Sequence, residues 1–302
     1  MKKQLSLLLA LILCFVLVGC VHTKQPEGSV QIDYDSAIVS YLGPEGTYTQ
    51  EACGVFFEKQ GTYIPYETVN AAVDALVNGE SNYAVIPQEN TIGGAVIDYV
   101  DTLLAHTDVA VVGEVELPIN QNLLALPDTE FSDIRIVYSH KQGITQGKEW
   151  LEKNLPNAEV IEVSSTAEGA RMVSEQQDVS CAAIASAACA DLYKLDILAA
   201  SIQNNDSNKT RFYVLSLDVP ATAQAERLAF VAMGDATELP GLMAEMDRQN
   251  MTLITIHDRP LKTELGQYFY LIECADSNYT SYLKLTEKSD FIFRYLGSFD
   301  AQ

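Results

Sequence analysis

Short apolar runs recur along the chain, and most break off into a polar or glycine-bearing loop before a stretch of helical periodicity. Ala37 to Leu42 reads as a strand, Gly43-Pro44-Glu45-Gly46-Thr47 as its loop, and Tyr48 to Lys59 as a helix with Thr47 or Thr49 near its N-cap. A helix from Val69 to Asn78 ends at Gly79. The strand Asn82 to Pro87 then runs into Gln88-Glu89-Asn90-Thr91 and Gly93-Gly94, ahead of a helix from Val96 to Leu104. Val109 to Val115 is a further strand. The same order returns at Ile134 to Tyr138, where Ser139-His140-Lys141-Gln142 precedes a helix through Gln146 and Trp150. It returns again at Val160 to Val163, with Ser164-Ser165-Thr166 ahead of a helix from Ala167 to Glu175. Cys181 to Ala185 leads through Ser186 to a helix reaching Tyr193, and Phe212 to Leu215 follows a polar loop as a buried strand.

Strands alternating with helices predict an α/β fold with largely parallel sheets, in which ligands sit beyond the carboxyl ends of the strands. Each polar loop taken alone is equally a tight turn. Together they place polar clusters at the carboxyl ends of several strands, which points to one shared cleft. A small, polar stretch from Pro220 to Glu226 reads as a linker. Beyond it, strands at Leu228 to Met233, Leu253 to Ile256, Gln267 to Glu273 and Phe291 to Leu296 alternate with helices at Leu239 to Arg248 and Tyr279 to Lys288. That βαββαβ order over 227–299 is a ferredoxin-like unit.

The 302 residues are enough for two domains, and 48% hydrophobic content supports a sizeable core. A net charge of −22 repels phosphate backbones and argues against a nucleic-acid partner. It also means that a site for an acid must supply its own local field of positive charge or amide donors. Lys2, Lys3 and the apolar stretch from Leu5 to Val18 form a leader too short to span a bilayer comfortably. Its end, Leu17-Val18-Gly19-Cys20, resembles the lipobox of bacterial lipoproteins. The expectation is a signal peptide over 1–19, lipid on Cys20, a polar tether over 20–36 and an extracytoplasmic, membrane-anchored protein. Cys53, Cys181, Cys189 and Cys274 show no CxxC pair and read as small buried residues, with one disulfide open to them. His22, His106, His140 and His257 lie at no zinc-ligand spacing with a cysteine, so no metal is expected.

Asn208-Lys209-Thr210-Arg211-Phe212 sets a hydroxyl, a guanidinium and an aromatic ring side by side. A hydroxyl that hands over a proton beside a fork that grips a carboxylate suits the edge of an active site. Taken alone, the stretch is equally a strand opening on a polar loop with Arg211 in a surface ion pair. With Gly43-Pro44-Glu45-Gly46-Thr47-Tyr48, Ile86-Pro87-Gln88-Glu89-Asn90-Thr91, Ser139-His140-Lys141-Gln142 with Gln146, and Ser165-Thr166-Ala167, it completes a set. In these stretches the chain resembles prephenate dehydratase, from about residue 38 to the C-terminus.

The resemblance implies a catalytic region over 37–219 of two lobes, similar to periplasmic solute-binding proteins. It also implies an ACT regulatory domain over 227–299, in a family that binds phenylalanine between subunits of a homodimer or tetramer. The implied reaction converts prephenate to phenylpyruvate, CO2 and water, with no cofactor because aromatisation supplies the driving force. By resemblance Thr210 is the proton donor, with Asn90, Ser139 and Gln146 hydrogen-bonding substrate or leaving group. Arg211 is expected to orient a carboxylate and Phe212 to wall the ring, while Thr47, Glu89, Thr91, Gln142, Ser165 and Thr166 complete the substrate site. The chain departs from the family at Lys141, where proline is common, and at Tyr48, where phenylalanine is usual. The effector motif Glu-Ser-Arg-Pro is replaced by His257-Asp258-Arg259-Pro260, and Gly-Ala-Leu by Thr237-Glu238-Leu239. Loss of phenylalanine inhibition is therefore expected. Two alternatives stay open: the same reaction on arogenate, and a lipid-anchored solute-binding protein for an aromatic or dicarboxylic acid.

Overall fold

A computed structural model of the chain describes residues 32–219, 225–262 and 264–302. The leader, Cys20, most of the tether and the linker residues 220–224 lie outside the described residues.

The first lobe is built on one mixed sheet. Its strands β1 (Ile38–Leu42), β2 (Thr62–Tyr66), β3 (Tyr83–Asn90), β4 (Gly94–Ala95) and β5 (Ala110–Pro118) are joined by a later strand, β11 (Lys209–Ser216). The order is β2-β1-β3-β11-β5, with β4 on the outer part of β3. Helices α1 (Tyr48–Phe56), α2 (Val69–Val77) and α3 (Ile97–Ala105) cover it. Side-chain caps start two of these helices where the pattern places them: Thr47 accepts from Gln50 N, and Thr68 from Ala71 N. Val39 and Tyr41 on one face and Ser40 on the other are wholly buried, as a strand covered on both faces requires. On α2 the buried face is Val69, Ala72, Val73 and Leu76, and each large side chain in it contributes roughly 1.5–3 kcal/mol.

The chain crosses to a second lobe after Pro118 and returns before Lys209. That lobe holds β6 (Asn122–Ala125), β7 (Ile136–Ser139), β8 (Glu159–Glu162), β9 (Cys181–Ala185) and β10 (Asp196–Ala199) in the order β10-β6-β9-β7-β8. Helices α4 (Lys141–Asn154), α5 (Thr166–Gln176) and α6 (Ala187–Tyr193) follow β7, β8 and β9. Both sheets are mixed where largely parallel ones were expected. β11 runs antiparallel to β3 and β5, and β6 antiparallel to β9 and β10, because these strands carry the chain into or out of a lobe.

Four strands escaped the sequence reading, among them the two-residue β4, which read as a glycine loop. β2 contains Pro65 and lies on a sheet edge, while β6 and β10 are four residues each and β10 is half exposed. β3 runs on through Pro87 to Asn90, where a break at the proline was expected. A proline is tolerated there because β1 pairs with β3 only from Tyr83 to Val85, so no partner on that side needs the missing N–H. Cys53, Cys181, Cys189 and Cys274 are buried and free, so the disulfide left open by the sequence is not formed.

The C-terminal unit is the expected βαββαβ fold. β12 (Arg227–Asp235), β13 (Thr252–Pro260), β14 (Gln267–Ala275) and β15 (Ile292–Phe299) form an antiparallel sheet in the order β13-β14-β12-β15. Helices α7 (Leu239–Arg248) and α8 (Tyr279–Thr286) pack on one face, setting Leu242 and Leu285 in one core with Leu228, Phe230 and Ile272 of the sheet. The other face is not left to solvent. Ala229, Val231, Leu271, Leu296 and Phe299 share a core with Val73, Ile86, Tyr99, Leu103 and Tyr213 of the first lobe. Polar ties reinforce the junction: Arg259 grips Asp101 on α3, and Arg294 donates to the Leu103 and His106 carbonyls at the end of that helix. The chain end lies along β5, where Gln302 N donates to Glu114 O at 2.9 Å.

Candidate active site

A cleft of about 800 Å³ opens between the two lobes, at the carboxyl ends of β1, β3, β7 and β8. β11 runs the other way, so it is the beginning of this strand, Thr210 and Phe212, that reaches the same cleft. The register places Thr210 opposite Asn90.

The contacts of Asn90 fix the chemistry of this pair. Its Oδ1 accepts from the backbone N–H groups of Ile92 at 3.0 Å and Gly93 at 2.8 Å. That orients its Nδ2, which donates to Thr210 Oγ1 at 2.9 Å and to Asn208 Oδ1 at 2.8 Å. With a lone pair of Thr210 occupied by this donor, the hydroxyl hydrogen is free to point into the cleft. An N–H aimed at the oxygen also stabilises the negative charge that grows there if the proton leaves.

The donors facing the cleft come from helix ends and from side-chain amides and hydroxyls. No Lys or Arg is among the described residues lining the cleft. Instead Thr47, His140 and Ser165 line it, and these are the N-caps of α1, α4 and α5. Helix N-termini carry partial positive charge and unpaired N–H donors, so three of them facing one cleft form an anion-binding surface. Gln121 Nε2 donates to Gln146 Oε1 at 2.9 Å, which leaves the Gln146 amide nitrogen as a donor for a ligand. The carboxylates on the wall are Glu67 and Glu168, and Glu168 is held by Arg171.

The structure therefore brings Thr210, Asn90, Gln146, Phe212, Thr47, Gln142, Ser165 and Thr166 to one cleft. Four other expected residues stand elsewhere. Ser139 is wholly buried and donates to the Ile184 carbonyl at 2.7 Å, cross-linking β7 and β9 beneath the start of α4. It does not line the cleft. Thr91 pins the polar loop, donating to Ser207 O and accepting from Lys209 N at 3.0 Å.

Arg211 is the larger correction. Alternate side chains of a strand face opposite ways, so Arg211 leaves the sheet on the side away from Thr210 and Phe212. There its Nη2 donates to Gln88 Oε1 at 2.7 Å and Glu273 Oε2 at 2.6 Å, and lies 3.1 Å from Glu114 Oε2. Glu89 belongs to the same group, 3.8 Å from Arg211 Nη1, and does not line the cleft. Lys141 is exposed on α4 and does not line it either.

Sequence reasoning assigned no role to Gln121, Asn208 or His140. Gln121 sits on the crossing segment, whose residues Pro118-Ile119-Asn120-Gln121 read as an ordinary polar loop. Asn208 is buried with its Nδ2 unpartnered, directly behind Asn90. Its place at the head of the Thr210 stretch was the available signal.

The altered effector motif divides between the two faces of its strand. His257 pairs across to Leu271 and sets its ring 5.9 Å from that of Tyr99, while Arg259 holds Asp101, so both face the first lobe. Burial lowers the His257 pKa. Asp258 lies opposite Tyr270, on the helix-bearing face, as does Pro260 by alternation. Leu239 opens α7 and packs into the core under that same face. Among the described residues no cluster could hold a metal ion, and no helix is long and apolar enough to cross a membrane.

Residues 39–219 match the family model of prephenate dehydratase. The chain is 33% identical over 268 residues to the bifunctional chorismate mutase/prephenate dehydratase of Aquifex aeolicus, covering 86% of this chain and 73% of that protein. It is 32% identical to the prephenate dehydratase of Lactococcus lactis subsp. cremoris, covering 82% and 89%. Among solved structures it is similar to prephenate dehydratase in complex with L-Phe from Arthrobacter aurescens. The TM-score is 0.78 and the identity 28%, with 87% of this chain and 90% of that one covered.

Proposed function

The chain belongs to the prephenate dehydratase family, and from that we propose that its cleft converts prephenate to phenylpyruvate, with Thr210 as the proton donor. The observation that carries the assignment is the hydrogen bond from Asn90 to Thr210 Oγ1 at 2.9 Å in a cleft bounded by three helix N-termini.

The steps balance without a cofactor. Prephenate enters as a dianion. The ring carboxylate leaves as CO2, and its bonding electrons enter the ring as the C4 hydroxyl departs. Thr210 gives that hydroxyl a proton, so it leaves as water, and one solvent proton restores the threonine. Asn90 holds the Thr210 oxygen while it carries charge. Gln146, Thr47, Ser165 and Thr166 supply donors for the substrate oxygens, and Phe212 walls the forming benzene ring. Neutral donors suit this reaction, because a cation on the departing carboxylate would stabilise the ground state and raise the barrier. The test is to mix the chain from Cys20 onward with prephenate at neutral pH and follow phenylpyruvate by its absorbance in alkali. Product is expected. Conversion of arogenate but not prephenate would move the assignment to the amino-acid substrate.

We propose further that residues 227–299 form an ACT domain and that the protein is held outside the membrane by lipid on Cys20, in a homodimer or tetramer. Support for the anchor is the run Leu17-Val18-Gly19-Cys20 after an apolar leader. The relative from Arthrobacter aurescens was solved with L-Phe. Here both halves of the effector motif are altered, and Arg259 is engaged with Asp101. Phenylalanine is therefore expected not to inhibit. Micromolar inhibition in the same assay would contradict this.

A further inference from the structure

The reverse side of the catalytic strand holds a group of charges that the reaction as derived does not use. Three neighbouring strands of the first lobe each send a polar residue there: Gln88 from β3, Arg211 from β11 and Glu114 from β5. All converge on Glu273, which comes from β14 of the C-terminal unit and is 1% exposed. One oxygen of Glu273, Oε2, accepts from Arg211 Nη2 at 2.6 Å, Gln88 Nε2 at 2.8 Å and Tyr213 Oη. Arg227 Nε lies 3.7 Å from its other oxygen.

The same residues are threaded through the active site. Arg211 stands between Thr210 and Phe212, both on the cleft wall, and Gln88 stands between Pro87, on that wall, and Asn90. The pairing of β11 with β3 slips by one residue between Arg211 and Phe212, so backbone hydrogen bonding alone fixes the Thr210–Asn90 register less firmly there. A carboxylate that holds Arg211, next to Thr210, and Gln88, two residues before Asn90, supplies the missing constraint. Its cost of burial is offset by three donors, and such a network loses much of its value if one member goes.

We propose that Glu273 is a positioning residue for the dehydration: it acts through Arg211 and Gln88 to hold Thr210 and Asn90 in register. The C-terminal unit thus contributes to the active site whether or not an effector binds. The inference rests on Thr210 being the proton donor.

The test compares Glu273→Gln, Glu273→Asp and Arg211→Met in the full chain, with Arg259→Ala as a control that breaks a different contact between the units. Glu273→Gln keeps the shape and removes the anion. A misplaced proton donor costs turnover more than binding, so kcat should fall about tenfold with KM within about threefold. Glu273→Asp, which keeps the charge, should recover part of that loss. Arg211→Met combined with Glu273→Gln should be no slower than the slower single variant, because both break the same link. Arg259→Ala should leave kcat unchanged. If Glu273→Gln does not fold, Tyr213→Phe removes one donor from the same carboxylate and should lower kcat about twofold to threefold. An unchanged kcat per folded molecule in these variants, or an equal fall in Arg259→Ala, would overturn the proposal. Failure of the unaltered protein to act on prephenate would instead overturn the functional assignment beneath it.

Discussion

The two faces of one strand make opposite use of polarity. On the front of β11, Thr210 and Phe212 meet a cleft whose described lining has no Lys or Arg. On the back, Arg211 and Tyr213 meet Glu114 and Glu273 in a buried charged group. The front must bind a dianion and release one of its carboxylates as CO2, so fixed positive charge there would hold the ground state too well. The back must keep strands in place against a second folded unit, where a charged network specifies one arrangement and bonds to charged groups are the stronger ones. Adjacent residues thus serve chemistry and scaffolding, and the pleat of the strand keeps them apart.

Breaking the front face should have the largest effects. Thr210→Ala removes the proposed proton donor and should lower kcat by about a hundredfold or more, read from phenylpyruvate formation. Loss of less than tenfold would mean another group supplies the proton. Asn90→Ala should lower kcat by about tenfold to a hundredfold, since it withdraws the donor to the Thr210 oxygen and frees the loop at Ile92 and Gly93. A pure rise in KM would instead make Asn90 a binding residue only.

A packing test is next in size. A Cβ on Gly143 would stand 2.4 Å from Ser139 Oγ, a buried atom already bonded to Ile184 O. Gly143→Ala should therefore cost roughly 1–3 kcal/mol of stability by overpacking, measured by denaturant unfolding. An unchanged midpoint would show that α4 can lift away from β7.

The smallest effect concerns the back face. Burial, and then the neighbouring Glu273 carboxylate, push the Glu114 pKa up to about 7, against the pull of Arg211 and Arg227. A carboxyl whose folded pKa is raised contributes stability that is complete below its ordinary value and is lost as pH rises through the folded one. The fold should lose stability between about pH 4.5 and 7 for this reason. Glu114→Gln cannot ionise, so its melting temperature should match the unaltered protein near pH 4.5 and exceed it by a few degrees above pH 7. A difference that does not vary with pH would show that Glu114 does not titrate in this range.

Much of this arrangement could be read from the chain. The strand–loop–helix repeats located the cleft, and Asn90, Gln146, Phe212, Thr47 and Thr210 all reach it. Arg211 was misplaced because the Thr210-Arg211-Phe212 stretch was read as a cluster in sequence, while strand alternation sends the middle residue to the other face. Ser139 was misplaced for a related reason: it lies at the last residue of β7, where alternation and Gly143 direct it inward. Gln121 and Asn208 matter through contacts with residues 25 and 118 positions away, which no local pattern carries. The shared core between the C-terminal unit and the first lobe was equally out of reach. Val231 and Leu271 read as ordinary strand interior until the sheet is seen to be covered on both faces.

In the proposed mechanism Thr210 works in the transition state and not in holding substrate. Calorimetric titration of prephenate into Thr210→Ala tests it most directly. A Kd within about tenfold of the unaltered protein's is expected, measured at a temperature where turnover is slow, alongside the loss of kcat. Binding that falls in step with turnover would make Thr210 a substrate contact and leave the proton donor to be found elsewhere in the cleft.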